Sequence, residues 1–148
     1  NQESIGTGTL YLKDAKVGDA AQFVSYLEAD YKLGNKLNVD LGYRFVDNLF
    51  ADYSITDSEF TTPDNAGALK LPSYGLVDLG TTLRFNFFGN DASFRVNINN
   101  LLDTYYIAES NSNIHASAGS ETWNGIDTRN SVWFGFGRTW NASLKYRF

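Results

Sequence analysis

Cysteine and methionine are absent from the 148 residues, histidine occurs once and proline twice. Without cysteine there is no disulfide framework, no cysteine-based zinc site and no thiol nucleophile. His115 alone cannot build a histidine-rich metal site. Positive charge is also in deficit: 12 Lys and Arg stand against 17 Asp and Glu, a net charge of −5. Nucleic-acid phosphates are bound by a clustered excess of Lys and Arg, so nucleic acid is not an expected partner. No apolar run approaches the roughly 20 residues that a membrane-spanning helix needs. No segment reads as a signal peptide. With Asn1 first and no methionine, translation is expected to start upstream, with a leader, a pro-segment or most of a protein removed. The length suits one ordinary domain or one piece of a larger one.

What is present is aromatic and glycine-rich: 16% Phe, Trp and Tyr, and 13 glycines. That composition is common in all-β proteins. It also suits a transmembrane β-barrel, whose strands are apolar only at alternate residues. The chain shows almost no helical period and repeated period-2 alternation instead. Phe23, Leu27, Ala29, Tyr31 and Leu33 alternate with Glu28, Asp30 and Lys32. After Gly34-Asn35, a hairpin turn, Leu37, Val39, Leu41, Tyr43 and Phe45 alternate with Asn38, Asp40, Gly42 and Arg44. Gly75–Phe87 sets Val77, Leu79, Leu83 and Phe85 against Asp78, Gly80, Arg84 and Asn86. Gly89-Asn90-Asp91 reads as a turn, and Ala92–Asn100 sets Phe94, Val96 and Ile98 against Arg95 and Asn97. The last strand sets Trp140, Ala142, Leu144, Tyr146 and Phe148 against Asn141, Ser143, Lys145 and Arg147. Thr7–Lys13 is expected to add a further strand, making about six.

Residues 47–73 and 102–130 break the pattern and read as long polar loops. In an up-and-down order the short turns then share one end of the strands and the long loops the other. A soluble sandwich has no reason to segregate its loops, whereas outer-membrane barrels do. The apolar face carries aromatics towards both ends. Tyr31, Phe85, Phe87, Phe94, Tyr146 and Phe148 lie near the short turns. Phe23, Tyr43, Phe45, Trp133, Phe134, Phe136 and Trp140 lie towards the long loops. Two aromatic belts around an aliphatic band match a bilayer with two interfaces. A strand of about ten residues, tilted by about 40°, spans roughly 25 Å, the height of that band. The expected fold is all-β, with antiparallel up-and-down transmembrane β-barrel strands.

Three segments resemble one family. They are Leu71-Pro72-Ser73-Tyr74-Gly75-Leu76-Val77-Asp78-Leu79-Gly80, Phe94–Ile107 around Asn99-Asn100-Leu101-Leu102-Asp103-Thr104-Tyr105-Tyr106, and Gly135-Phe136-Gly137-Arg138-Thr139-Trp140 through Phe148. In this order they resemble the C-terminal portion of TonB-dependent outer-membrane receptors, with a weaker match at Val17–Gln22. The resemblance implies that residues 1–148 are about six strands of a barrel of about 22 strands, with the plug domain and earlier strands lying outside the chain. It implies energy-coupled uptake of a scarce or bulky nutrient (a siderophore, a cobalamin-like compound, a glycan or a peptide) across the outer membrane of a Gram-negative bacterium. No enzyme activity and no cofactor are implied. Glu28, Asp30, Asp40, Arg44, Asp78, Arg84, Arg95, Lys145 and Arg147 would line the lumen beside plug or solute. Asn141, Leu144, Tyr146 and Phe148 resemble the signal read by the barrel-assembly machinery, although Ser143 stands where the family often has Gly. Implied partners are outer-membrane lipid and lipopolysaccharide, the TonB energy-coupling complex and, in part of the family, a surface lipoprotein lid.

No catalytic constellation stands out. His115 and the carboxylates of Glu109, Glu121 and Asp127 are unevenly spaced, and the histidine reads as a solvated loop residue. Arg138 falls on the lipid side, where it could meet a lipopolysaccharide phosphate or simply reach the headgroups. Two other readings stay open: a soluble β-sandwich that binds carbohydrate through exposed aromatics, and a small outer-membrane barrel with strands hidden in the long loops.

Overall fold

The computed structural model describes residues 9–12, 15–54 and 58–148, the side chains of Ser58 and Glu59 excepted. The protein is all-β. Its strands are β1 (Phe23–Leu33), β2 (Leu37–Asp47), β3 (Tyr74–Phe87), β4 (Asn90–Asn99), β5 (Ile107–Ser110), β6 (Thr122–Trp123), β7 (Ile126–Asp127), β8 (Val132–Phe134) and β9 (Thr139–Tyr146). One 3-10 turn, Ser58–Thr61, is the only helical element among the described residues. The chain divides into two compact units.

The first unit comprises Phe23–Asp47, Ser73–Tyr106 and Phe134–Phe148. It is an antiparallel meander in the order β1-β2-β3-β4-β9. The sheet is not closed: β1 and β9 are edge strands with no further strand beside them among the described residues. The alternation seen in sequence sets the register. Ala29, Leu41, Leu79, Ile98 and Trp140 form one row across all five strands. Tyr31, Val39, Thr81, Val96 and Ala142 form the next, and Leu33, Leu37, Leu83, Phe94 and Leu144 the one after. On the opposite face the corresponding rows are Asp30, Asp40, Gly80, Asn97 and Asn141, then Lys32, Asn38, Thr82, Arg95 and Ser143.

The turns differ in detail from expectation. The β3–β4 turn is Phe88-Gly89, both at positive φ (50° and 82°), while Asn90 and Asp91 pair within β4. Two successive left-handed residues give the twist that a two-residue hairpin favours. Glycine at Gly89 was the readable signal. Phenylalanine is an unexpected partner, because its Cβ opposes positive φ. The strand ladder also ends at Tyr146, so Arg147 and Phe148 lie beyond β9. Arg147 nonetheless keeps one rung, its amide donating to the Asp91 carbonyl at 3.0 Å.

The second unit comprises Asn1–Gln22, Asn48–Pro72 and Ile107–Trp133. Here the reading of 47–73 and 102–130 as polar loops is corrected, because these segments build an ordered unit with its own core. Leu49, Phe50, Ala51, Phe60, Leu69, Leu71, Ile107 and Ile126 are buried. Phe50 bridges Lys70, flanked by Leu71 N to Leu49 O at 2.8 Å and Ala51 N to Leu69 O at 2.9 Å. The Asp52 amide reaches the Ser110 carbonyl at 2.8 Å. Short pairs β5–β8 and β6–β7 complete it. The predicted strand Thr7–Lys13 is not found at Thr9–Leu12, which carry no strand pairing, and its remaining residues lie outside those described. The Tyr11 amide donates to Phe60 O at 2.8 Å and its carbonyl accepts Asn65 Nδ2 at 3.2 Å.

Candidate functional site on the polar face of the sheet

β1 and β9 are exposed on both faces, whereas in β2 and β3 the buried positions all lie on the polar face. Asn38, Gly42 and Gly80 are buried on the polar face. On the apolar face Leu27 is 71% exposed, Tyr31 67%, Leu144 69% and Trp140 74%. Single exposed apolar side chains are normal, but a contiguous apolar face across five strands marks an interaction surface. Near the short turns, Phe85, Ala92 and Tyr146 share a row, and the small Ala92 leaves an apolar hollow of about 310 Å³ between the rings.

The polar face is organised around Arg95. Its Nη1 and Nη2 donate to Oδ1 and Oδ2 of Asp40, both at 2.9 Å. Nη1 also donates to Thr82 Oγ1 at 3.0 Å, and Nε to Asn97 Oδ1 at 2.8 Å. Asn97 Nδ2 passes the chain of contacts on to Asn141 Oδ1 at 2.9 Å. The guanidinium reaches β2 from β4 by crossing β3 at Gly80. A Cβ there would stand 1.9 Å from Asp40 Oδ2 and 2.6 Å from Arg95 Nη2. Glycine is therefore what permits the bidentate pair, a geometry that Lys could not reproduce.

Asp30 sits opposite Asp40 in the register, a like-charge pair that is unfavourable unless donors intervene. Arg95 supplies one set of donors, and Asn38 Nδ2 supplies another to Asp30 Oδ2 at 2.9 Å. Among the described residues Asn38 Oδ1 is buried without a hydrogen-bond partner. Nearer the long connections, the Tyr26 hydroxyl donates to Glu28 Oε2 at 3.2 Å, and the Arg44 guanidinium lies 6.0 Å from the Tyr26 ring centre. Tyr26 itself covers Gly42 of the neighbouring strand.

Asp78 Oδ1 accepts the Asn100 amide at 2.9 Å. Asn100, at φ 50°, holds the turn after β4. Its Oδ1 accepts Thr104 N at 2.9 Å, and its Nδ2 donates to the carbonyls of Thr104 (3.0 Å) and Phe136 (3.2 Å). Asp103, at φ 55°, accepts the Arg138 amide at 2.7 Å. The Arg138 side chain, expected to reach outward, donates back to Leu101 O at 3.5 Å. Tyr106 stacks on Tyr74 with ring centres 4.2 Å apart and lies against Gly135. Residues 100–106 of the second resembling segment therefore build the turn through which the chain leaves the sheet.

Arg84, Lys145 and Arg147 make no side-chain hydrogen bond or ion pair among the described residues, and they line one cavity near the short turns. Of the terminal residues, Asn141 is bonded to Asn97, and the Tyr146 hydroxyl accepts Asn90 Nδ2 at 2.8 Å. Leu144 and Phe148 are exposed. Sequence reasoning missed Tyr26, Asn38, Gly80, Asn97 and Asn100 as parts of this network. The available signal was glycine placed on a charged face between Asp40 and Arg95.

In the second unit, Asp127 is buried, and Oδ1 accepts both the amide and Nε of Arg129 at 2.9 Å while Oδ2 accepts Nη2 at 2.7 Å. These bonds, with one from Ser120, hold its carboxyl well below the usual carboxylate range. His115 is not the solvated residue expected: its Nε2 donates to Gly67 O at 3.0 Å, a carbonyl that also accepts Asn113 Nδ2 at 2.9 Å. Among the described residues no group of three or more His, Asp or Glu is placed to hold a metal ion. The carboxylates of Glu28, Asp30, Asp40, Asp78 and Asp127 each accept a hydrogen bond from a protein donor. No protein-family model matches the chain, and comparisons with curated proteins and with solved structures return no match.

Proposed function

We propose that the chain is a C-terminal stretch of barrel wall from a TonB-dependent receptor, serving energy-coupled uptake of a scarce or bulky nutrient across a Gram-negative outer membrane. The observation that carries this reading is the inverted sheet. A continuous apolar face is left uncovered among the described residues, while the opposite face holds the Asp40–Arg95 ion pair and the buried positions of β2 and β3. Lipid suits the first face, and a polar lumen suits the second. The open edges at β1 and β9 support the same reading, since unpaired edges are not tolerated in hydrocarbon and call for neighbouring strands. On this reading the long connections 47–73 and 102–130 would face outside and help capture ligand. Lipopolysaccharide, the assembly machinery, the energy-coupling complex and a lipoprotein lid are the partners the reading implies.

Depth-dependent substitution tests the membrane part. Leu41→Arg lies in the middle of the apolar face and Leu33→Arg beside a turn. In the intact polypeptide folded into lipid, Leu41→Arg should cost roughly 2–4 kcal/mol and Leu33→Arg roughly 0–1. Folding of the intact polypeptide in water, without detergent or lipid, would fit the soluble sandwich instead. The transport part is tested by deleting the gene and measuring accumulation of labelled ferric chelate, cobalamin, oligosaccharide and peptide with and without a protonophore. A deletion strain that retains all four energised uptakes refutes it.

A further inference from the structure

The polar face is zoned by charge along the strands. Glu28, Asp30, Asp40 and Asp78 lie in the middle and towards the long connections, where they outnumber Arg44 and Arg95. At the short-turn end the sign reverses. Lys36, Arg84, Lys145 and Arg147 line a single cavity of about 520 Å³ in which Asp91 is the one carboxylate. Four cations and one anion give that cavity a formal +3, inside a chain whose net charge is −5. None of the four side chains has a hydrogen-bond or ion-pair partner among the described residues, in contrast to Arg95 one row away.

The register explains the shape. Arg84 pairs with Ser93, and Ser93 pairs with Lys145. The small serine forms a floor, with a cation on either side about 10 Å apart across two strand spacings. The Arg84 amide is bonded to Lys36 O at 2.7 Å, which ties Lys36 to the same end, and the Arg147 amide is tied to Asp91 O at 3.0 Å. Four like charges held this close by backbone register repel one another, and an anion between them removes that repulsion. Guanidinium forks match two oxygens of one oxyanion, and ammonium groups add point charge.

We propose that this groove is a binding site for a solute carrying two or more adjacent oxyanions, of the diphosphate type. It needs only the five-stranded sheet and stands whether or not the transport reading holds. The test is calorimetric titration of the intact polypeptide in detergent with inorganic pyrophosphate, inorganic phosphate and a hexaglutamate peptide. Pyrophosphate should bind more tightly than phosphate, and its binding should weaken as salt rises. Arg84→Gln and Lys145→Gln should each weaken it roughly tenfold or more. Lys16→Gln, the same charge change in the other unit, should leave it unaltered. Circular dichroism and the denaturation midpoint of each variant exclude loss of fold as the cause. Equal loss with Lys16→Gln, no pyrophosphate binding at physiological salt, or binding of the peptide alone would each overturn the proposal.

Discussion

Replacing Gly80 by alanine should do opposite things to stability depending on what stands at Asp40. In the native sequence the new methyl would lie 1.9 Å from Asp40 Oδ2 and 2.6 Å from Arg95 Nη2, so the bidentate pair has to open. Hydrogen bonds to charged groups contribute roughly 1.5–3 kcal/mol when desolvated. The Arg95 side chain is 38% exposed and that of Asp40 18%, and water screening reduces the loss to roughly 1–2 kcal/mol. Removing a glycine from a strand returns about 0.5–1 kcal/mol through the unfolded state. The net expectation is a destabilisation of roughly 1 kcal/mol. With Asp40→Ala already in place, Arg95 can swing away, only the favourable glycine contribution remains, and Gly80→Ala should stabilise by about 0.5–1 kcal/mol. The assay is a four-member double-mutant cycle by urea unfolding of the intact polypeptide in detergent, at constant m-value. The same sign for Gly80→Ala in both backgrounds would refute the idea that this glycine exists to let an ion pair cross β3.

Phe88 stands at φ 50° in a two-residue turn and is 87% exposed, so Phe88→Asn should raise stability by about 1 kcal/mol, read as a higher urea midpoint. Because bonds from Arg129 lower the folded pKa of Asp127, its contribution is fully present above the ordinary carboxylate range and is lost as pH falls through the folded value. Asp127→Asn should accordingly lower stability at pH 7 and flatten the acid limb of a stability–pH profile below about pH 4. Asp19 is the reverse case: burial, then Asp52 and Glu109, raise its pKa, so its charged form opposes folding at neutral pH. Asp19→Asn should therefore stabilise at pH 7 and have little effect near pH 3, and an equal effect at both would contradict the assignment.

The strands of the sheet were legible because each one faces two different surroundings. Leu37–Phe45 or Ala142–Tyr146 alternates strictly, and alternation needs no knowledge of partners. The turn chemistry was half legible: Gly34 and Gly89 signalled positive φ, but nothing local announced that Phe88 would share it. The unit built from the long connections was illegible. Phe60, Leu71, Ile107 and Ile126 are far apart in sequence and set among Ser, Asn and Asp, so they show no period of either kind. On the polar face the charges could be assigned from parity, whereas their pairing could not. Asp40 and Arg95 are 55 positions apart and two strands removed, and the contact depends on a register that only the assembled sheet defines.

The five-stranded sheet carries two demands that water satisfies poorly in combination. Leu27, Tyr31, Leu41, Leu83, Phe94, Trp140 and Leu144 are each 41% or more exposed on one face. Burying a side chain of this size contributes roughly 1.5–3 kcal/mol, so most of the free energy available to this face is unrealised while it stands bare. Covering it with a second sheet would meet that demand. It would leave β1 and β9 as long free edges, the feature soluble proteins guard against with charge, proline or bulges. Neither strand contains proline, and the charges they carry, Glu28, Asp30 and Lys32 in β1 and Lys145 in β9, all lie on the polar face. Flanking strands that continue the meander meet the second demand, and a closed wall whose apolar side meets hydrocarbon meets both. On the proposed reading the Asp40–Arg95 pair, the Asn97–Asn141 contact and the tyrosine laid over Gly42 would fall on the enclosed side. On that reading, short polar contacts between strands would brace the wall there in place of a packed core.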